Sequence, residues 1–227
     1  MNTGTKLFCA ATMAFIGMAN CSSAFASGCS LSEASVQSVM SFYARALHAT
    51  DPDHAEQNLL LINAIVTGQT AVVKKAMSDG VSPNTSFQLS AAEELPLLGI
   101  AVSACQLDVV RILVEAGADP NGTYTVTPLV RAAVSGNEAI TTFLLDHGAK
   151  IDKVDAMGQT ALEAAVRGRQ LASVKLILKY DHNPNRKLAG GGTVLDLVGN
   201  STHVKDEAIA KELRSHGVVS RMEEATH

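Results

Sequence analysis

Few residues of this chain are placed to do chemistry, and each has a simpler explanation beside it. Asp51, Asp53 and His54 are close enough in sequence to converge on a metal ion. Asp51 followed by Pro52 is also helix-start chemistry, a carboxylate cap and then a residue with no N–H to satisfy. Gly190-Gly191-Gly192-Thr193 precedes an apolar run, and exposed amides at a helix start can hold phosphate. Gly191 stands in register with Gly158 of the preceding unit, so the tract reads better as a turn. The seven histidines are scattered singly, and His147 and His182 fall near expected helix ends, where positive charge is favoured. The sequence has no G-x-S-x-G, H-E-x-x-H, G-x-x-x-x-G-K-[ST] or paired C-x-x-C motif. The expectation is no catalytic residue, no metal and no cofactor. An enzyme or small-ligand binder using a surface groove is the different-class alternative, which converging ionisable groups would favour.

Composition narrows the partners. The formal net charge of −4 and the absence of any Lys/Arg run longer than two argue against nucleic acid. Apolar residues make up 47%, aromatics only 4%, and Trp is missing, so the core must be built from Ala, Leu, Val and Ile in closely packed helices. Lys6 precedes an apolar stretch, Leu7 to Met18, too short to span a bilayer. It reads as a secretory signal, with Ala24-Phe25-Ala26 giving small residues for cleavage before Ser27 and hence a periplasmic or secreted protein. Ala26-Ser27-Gly28-Cys29 also resembles a lipobox, with Ala in place of the usual Leu, so a lipid anchor at Cys29 is the alternative. Past residue 30 nothing approaches the ~20 apolar residues of a membrane span. Cleavage would discard Cys9 and Cys21, leaving Cys29 and Cys105 in an oxidising compartment as a disulfide or as two free thiols. Paired, they would close a loop of about 75 residues and contribute roughly 4 kcal/mol on the chain-entropy view.

The elements that position these residues follow from a repeat. Thr127-Pro128-Leu129, Ala132-Ala133, Gly136, Leu144-Leu145 and Gly148-Ala149 form its clearest copy, and a second begins at Thr160, 33 residues later. Other copies close with Gly80-Val81-Ser82-Pro83-Asn84, Gly117-Ala118-Asp119-Pro120-Asn121 and Asp181-His182-Asn183-Pro184-Asn185. Thr127 is placed to cap a first helix with Pro128 at its first position, and Ala132 and Ala133 are small enough to lie between neighbouring units. Gly136 ends that helix in the left-handed conformation. Ile140, Leu144 and Leu145 recur at helical spacing on a second helix, which Gly148 terminates.

These residues resemble the ankyrin family over roughly residues 58 to 218. The resemblance implies an all-α ankyrin-repeat solenoid: stacked helix-turn-helix repeats with β-hairpin fingers, about four repeats plus a helical N-cap and a degenerate C-terminal repeat. The implied organisation is a signal peptide (1–26), N-terminal capping helices (27–57), repeats at 58–87, 95–126, 127–159, 160–192 and 193–218, and a flexible tail (219–227). A capping box at Ser30 to Glu33 opens a helix to about His48, with Val36, Met40, Tyr43 and Leu47 covering the first repeat. Thr85 to Glu94 makes a long first finger, Gly122 to Val126 a short second one, and residues 153–159 a third with Asp155 and Gly158 at its turn. Two departures stand out. Cys105 replaces the turn Gly of the second repeat, where one extra residue after Pro96 suggests an irregular helix. Arg169 replaces the turn Gly of the fourth, which calls for φ > 0.

Ankyrin proteins usually bind protein partners through finger tips and the exposed ends of first helices. Carried over by position, the resemblance points to Phe87, Gln88, Tyr124, Thr125, Ala156, Met157 and Gln159 on fingers, and to Thr67, Ser103, Ser135 and Arg167 on helices. It implies a non-enzymatic scaffold or inhibitor in the bacterial envelope with an unidentified protein partner. That partner is a toxin or effector in an immunity-type role, or a periplasmic enzyme in an accessory role such as oxidative defence.

Overall fold

The computed structural model describes residues 33–90, 93–123, 125–188, 191–198 and 204–224. The signal and lipobox, Ser30 to Ser32 of the capping box, Cys29 and Tyr124 lie outside the described residues. Helix α1 (Glu33–Thr50) is followed by paired helices: α2 (Ala55–Val66) with α3 (Thr70–Ser78), α4 (Leu97–Ser103) with α5 (Leu107–Glu115), α6 (Pro128–Ser135) with α7 (Glu138–Asp146), and α8 (Ala161–Arg167) with α9 (Leu171–Tyr180). A 3-10 turn (Val194–Leu197), α10 (Val204–Ser215) and α11 (Arg221–Glu224) close the stack. One two-stranded antiparallel sheet, β1 (Ser86–Ser90) and β2 (Glu93–Pro96), forms the first finger with Phe87 opposite Leu95.

The first helices form the spine. Ile65, Ala101, Ala132, Ala133 and Ala165 are fully buried between neighbouring units, and Ile62, Ile100, Leu129 and Leu162 are buried beside them. At α1, Val39, Tyr43 and Leu47 are buried, with Val36 and Met40 packed against the same core. The N-terminal cap therefore forms as the helical spacing requires. Residues 52–54 are a turn, and α2 begins at Ala55 as the first helix of the first repeat rather than as a separate capping helix.

Several local details differ from the sequence reading. The extra residue after Pro96 does not disturb α4. Leu97, Pro128 and Ala161 open their helices at the same distance from the left-handed residues Cys105, Gly136 and Arg169, and Pro96 is displaced into the end of β2. Thr127 stands at the N-cap position, but its hydroxyl donates to the Val154 carbonyl of the next finger at 3.2 Å instead of capping α6. Thr160 does cap its helix, accepting from the Glu163 amide at 3.3 Å. His54, not Asp51, holds the N-cap position of α2; the Asp51 carboxylate bonds the His54 ring at 3.0 Å and Asn58 Nδ2 at 3.1 Å. Instead of a frayed tail, Arg221–Glu224 forms a helical turn whose first amide lies 3.1 Å from both oxygens of Asp196.

Cys105 and Arg169 adopt φ of 57° and 54°, the left-handed conformation their positions demand. The reason glycine is kept at the other turns lies in the next repeat. A Cβ at Gly68 would meet Gln106 Oε1 at 2.5 Å, and one at Gly136 would meet Gln170 Oε1 at 2.5 Å. Over Cys105 the corresponding residue is the shorter Asn137, whose Oδ1 is turned inward to cap α7 through the Ile140 amide at 3.0 Å.

A second device joins the repeats at the finger base. Asn84 donates to the Gly117 carbonyl at 3.0 Å and accepts from the Asp119 amide at 2.8 Å. Asn121 does the same toward Gly148 (3.5 Å) and Lys150 (2.8 Å), and Asn185 toward Gly217 and Val219, both at 2.9 Å. Each amide satisfies a helix-end carbonyl and a loop N–H of the following unit, groups with no partner inside their own helix. At the third repeat the position is Asp152, an acceptor-only carboxylate, and the facing residue is Asp181 rather than glycine. There Asp181 turns inward and pairs with Arg186 Nη2 at 2.6 Å.

Candidate functional site

The fingers are built differently, and that decides which of the expected residues can meet a partner. β1 lies against α1, Thr50 Oγ1 donates to the Gln88 carbonyl at 2.7 Å, and Phe87 is only 4% exposed. Phe87 is therefore a core residue and not a finger-tip anchor: pleat alternation turns it toward the apolar side of the hairpin while Gln88 faces solvent. Thr125 is half-buried, with its hydroxyl on the Glu94 carbonyl at 3.3 Å and beside Thr123 at 3.0 Å. It ties the second finger to the first.

The third finger is tied to the second only at its base, through Thr127 on the Val154 carbonyl and Lys153 Nζ on the Gly122 carbonyl at 3.0 Å, among the bonds of the described residues. Asp155 Oδ1 accepts from the amides of Met157 and Gln159, both at 2.9 Å, and Gly158 N donates to the Asp155 carbonyl at 2.9 Å. The turn is held from within, so its tip needs no neighbour. Ala156 is exposed there and Met157 is 67% exposed. The next finger repeats the design: Gly191 N donates to Leu188 O at 2.9 Å and Leu188 N to Gly192 O at 3.0 Å. Gly191 is thus a hairpin-turn glycine, as its register with Gly158 requires.

Between these two fingers lies an open groove of about 300 Å³, lined by Met157, Gly158, Gln159, Glu163, Arg167, Leu188, Gly191, Asp196 and Leu197. Three of the expected residues, Met157, Gln159 and Arg167, come together here. Thr67, Ser103 and Ser135 lie at equivalent helix ends of earlier repeats, each with a local bond: Thr67 to the Asn63 carbonyl at 2.7 Å, Ser135 to the Ala132 carbonyl at 3.1 Å, and Ser103 accepting from Arg131 at 3.3 Å. The sequence reading missed Glu163, Leu188, Asp196 and Leu197. Glu163 was legible as the third residue after the cap Thr160; the others enter only because the degenerate last repeat folds against the fourth.

The electrostatics of the groove are uneven. Glu163 and Arg167 have the i,i+4 spacing and orientation of a helical ion pair. Glu163 instead accepts from Thr160 Oγ1 at 3.3 Å and is buried, while Arg167 is exposed and makes no ion pair among the described residues. Asp196 is committed to the amides of Thr193 at 2.8 Å and Arg221 at 3.1 Å. Exposed in the groove are therefore the Arg167 guanidinium, the hydrogen-bonded Asp196 carboxylate and the Met157 side chain, with Leu188 and Leu197 half-buried beside them. The volume is at the lower end of small-ligand sites and suits one or two side chains of a larger partner. Among the described residues no group of three or more His, Cys, Asp or Glu converges on a metal position, and no helix is long and apolar enough to cross a membrane.

Comparison with known families matches residues 98–187 to the description "Ankyrin repeats (3 copies)". The fold is an ankyrin-repeat solenoid. The match takes in α4 through α9 and both finger bases flanking the groove. The RelA-associated inhibitor of Mus musculus is 30% identical over 166 residues, 72% of this chain and 20% of that protein. The ankyrin repeat and KH domain-containing protein mask-1 of Caenorhabditis elegans is 30% identical over 141 residues, 59% of this chain and 5% of the relative. Glycerophosphocholine phosphodiesterase gde1 of Schizosaccharomyces pombe is 30% identical over 110 residues, 47% of this chain and 9% of the relative. The chain thus spans a fifth or less of each of these relatives. The ankyrin repeats support a protein–protein interaction module, and the groove is one part of it that leaves Met157 and Arg167 unengaged among the described residues.

Proposed function

We propose that this ankyrin solenoid is an exported, non-enzymatic scaffold or inhibitor of the bacterial envelope that holds its protein partner at the groove between the third and fourth fingers. The single observation carrying this reading is the juxtaposition of the exposed Met157 thioether with an Arg167 guanidinium that its own helix leaves unpaired. Apolar and arginine anchors at one spot are what dominates interface energetics. The complementary partner surface is an apolar side chain flanked by a carboxylate, which Arg167 can bind through two N–H groups. The name of the mouse relative, an inhibitor, favours the blocking version of this role over the accessory one. Export rests on the Lys6 to Ala26 segment, and N-terminal sequencing of the purified protein tests it: a start at Ser27 is expected, and a retained Met1 overturns it.

The binding reading is tested by cross-linking the purified protein in an envelope extract of its source cell. Wild type, Met157→Ala/Arg167→Glu and Gln88→Ala are compared by quantitative mass spectrometry. One partner captured at near-equal stoichiometry by wild type and Gln88→Ala, and lost from the double variant, is expected. Equal capture by all three moves the interface away from the groove, and no partner with any of them overturns the reading.

A further inference from the structure

Four bonds tie the bases of the second and third fingers together. Asn121 donates to the Gly148 carbonyl at 3.5 Å and accepts from the Lys150 amide at 2.8 Å. Thr127 Oγ1 and Lys153 Nζ donate to the Val154 and Gly122 carbonyls at 3.2 and 3.0 Å. One repeat later the same three places hold Asp152, Thr160 and Arg186, and none of them reaches across. The Asp152 carboxylate is exposed, makes no bond among the described residues, and has no N–H to offer a carbonyl. The Asn183 amide, which the asparagine ladder would assign to it, donates instead to Asp181 Oδ1 of its own loop at 2.9 Å. Thr160 keeps its hydroxyl on Glu163 of its own helix, and Arg186 Nη2 turns to Asp181 at 2.6 Å.

The finger edge is therefore divided. The first three fingers are joined in series, by Asn84 on Gly117 and Asp119, by Thr125 on the Glu94 carbonyl, and by the four bonds above. Beyond the gap, Asn185 ties its loop to Gly217 and Val219, and Asp196 holds the Arg221 amide. The helices beneath the gap are tightly joined. Gly168 lies so near α6 that a Cβ there would meet the Val134 carbonyl oxygen at 2.9 Å, and Gln170 Oε1 sits 2.5 Å from where a Gly136 Cβ would be. Ala132, Ala133, Ala164 and Ala165 are buried along the same contact. A seam packed at the helix turns and untied at the finger bases has the layout of a hinge, and it opens where the fewest bonds must break.

We infer that the two tied blocks hinge against each other at this seam, and that the groove holding Met157 and Arg167 is the opening at its free edge. The width of the groove is then set by what it holds, which rests on reading the groove as the binding site. Asp152 and Asp181, the residues that leave the seam untied, do not line the groove. Its adjustability is thus separable from its chemistry.

The test is a pair of distance distributions measured by pulsed electron paramagnetic resonance on the full chain. Nitroxides are attached through p-acetylphenylalanine, which leaves the cysteines untouched. One pair, at Ala156 and Asn183, spans the seam at the finger edge; the other, at Ala139 and Ala172, spans the same two repeats at the turn edge. All four positions are exposed. The finger-edge distribution should be about twice as broad as the turn-edge one, and Asp152→Asn/Asp181→Gly, which restores an asparagine facing a glycine, should narrow it to the turn-edge width. Asp152→Asn alone keeps the Asp181–Arg186 pair and should narrow it part-way, so the answer does not depend on the double variant folding. Equal widths at the two edges of the wild type overturn the hinge. Unchanged breadth in the single variant overturns its assignment to the missing ties. No partner takes part in either measurement, so failure here is separate from failure of the groove reading.

Discussion

The first finger and the third leave equivalent points of equivalent repeats, yet one is sealed and the other stands open. In the first, paired strands carry Phe87 into the core against the N-terminal cap, and Thr50 closes the edge. In the third, Asp155 satisfies the turn amides from within, and Met157 is left in solvent beside Arg167. Both fingers carry a large apolar residue, Phe87 on the strand in the first and Met157 at the turn in the third. What separates them is a neighbour: α1 lies beside the first finger, whereas the third faces another self-contained turn across a groove. A finger-tip apolar side chain is thus an anchor only where no capping element reaches it.

The largest effect that would break this comparison concerns Phe87. Phe87→Ala should cost about 3–4 kcal/mol in chemical denaturation, whereas Met157→Ala should change stability by less than about 0.5 kcal/mol. Similar losses for the two would mean that the fingers do not differ as described. Next, the terminal tie at Arg169 can be separated from its backbone strain. Arg169→Ala and Arg169→Gly both remove the ion pair to the buried Asp206, but only glycine relieves the left-handed backbone, so the alanine variant should be less stable by about 1 kcal/mol. Equal stabilities would show that the turn stores no strain.

A smaller effect of opposite sign is expected at Ser173. Its hydroxyl is fully buried without a hydrogen-bond partner, in a column where the preceding repeat has Ile140. Ser173→Ala should therefore stabilise the fold by about 1 kcal/mol, as removal of an unsatisfied polar group does; a loss of that size would reveal a partner for the hydroxyl.

The smallest effect is at the exposed pair joining the N-terminal cap to the first repeat. The hydrogen bond to Asp51 raises the His54 pKa above its ordinary 6.5, and the same bond lowers Asp51 below 3.8. The histidine contribution is fully present below the unfolded value and fades as pH rises through the raised one. The aspartate contribution is present above its unfolded value and fades as pH falls through the lowered one. The pair therefore supports the fold best between about pH 4 and 6.5. In an NMR titration the His54 midpoint should lie above the ordinary value and fall toward it in Asp51→Asn; an unmoved midpoint would dissolve the pair.

Much of this protein was legible before folding, for a physical reason. Small residues at Ala132, Ala133 and Ala165, turn residues at Gly136 and Arg169, and helix ends at Gly117 and Gly148 are local requirements of a repeat, and local requirements are written at fixed spacing. Even the asparagine ladder had a sequence signal, since Asn84, Asn121 and Asn185 each stand four residues after the residue that follows the second helix, Gly80, Gly117 or Asp181. The left-handed Arg169 was foreseeable for the same reason. The fate of each finger was not. Phe87 is buried because α1, some forty residues earlier, lies beside it, and the groove exists because the fourth finger and the degenerate last repeat bring Leu188, Asp196 and Leu197 opposite Met157 and Arg167. Thr127 turned from its own helix to Val154 on similar grounds. Sequence by itself determined the repeat and its register, because those follow from short-range sterics and periodic burial. Tertiary structure alone decided which exposed positions are surface and which are core, because that depends on what stacks against each repeat, and stacking is a long-range fact.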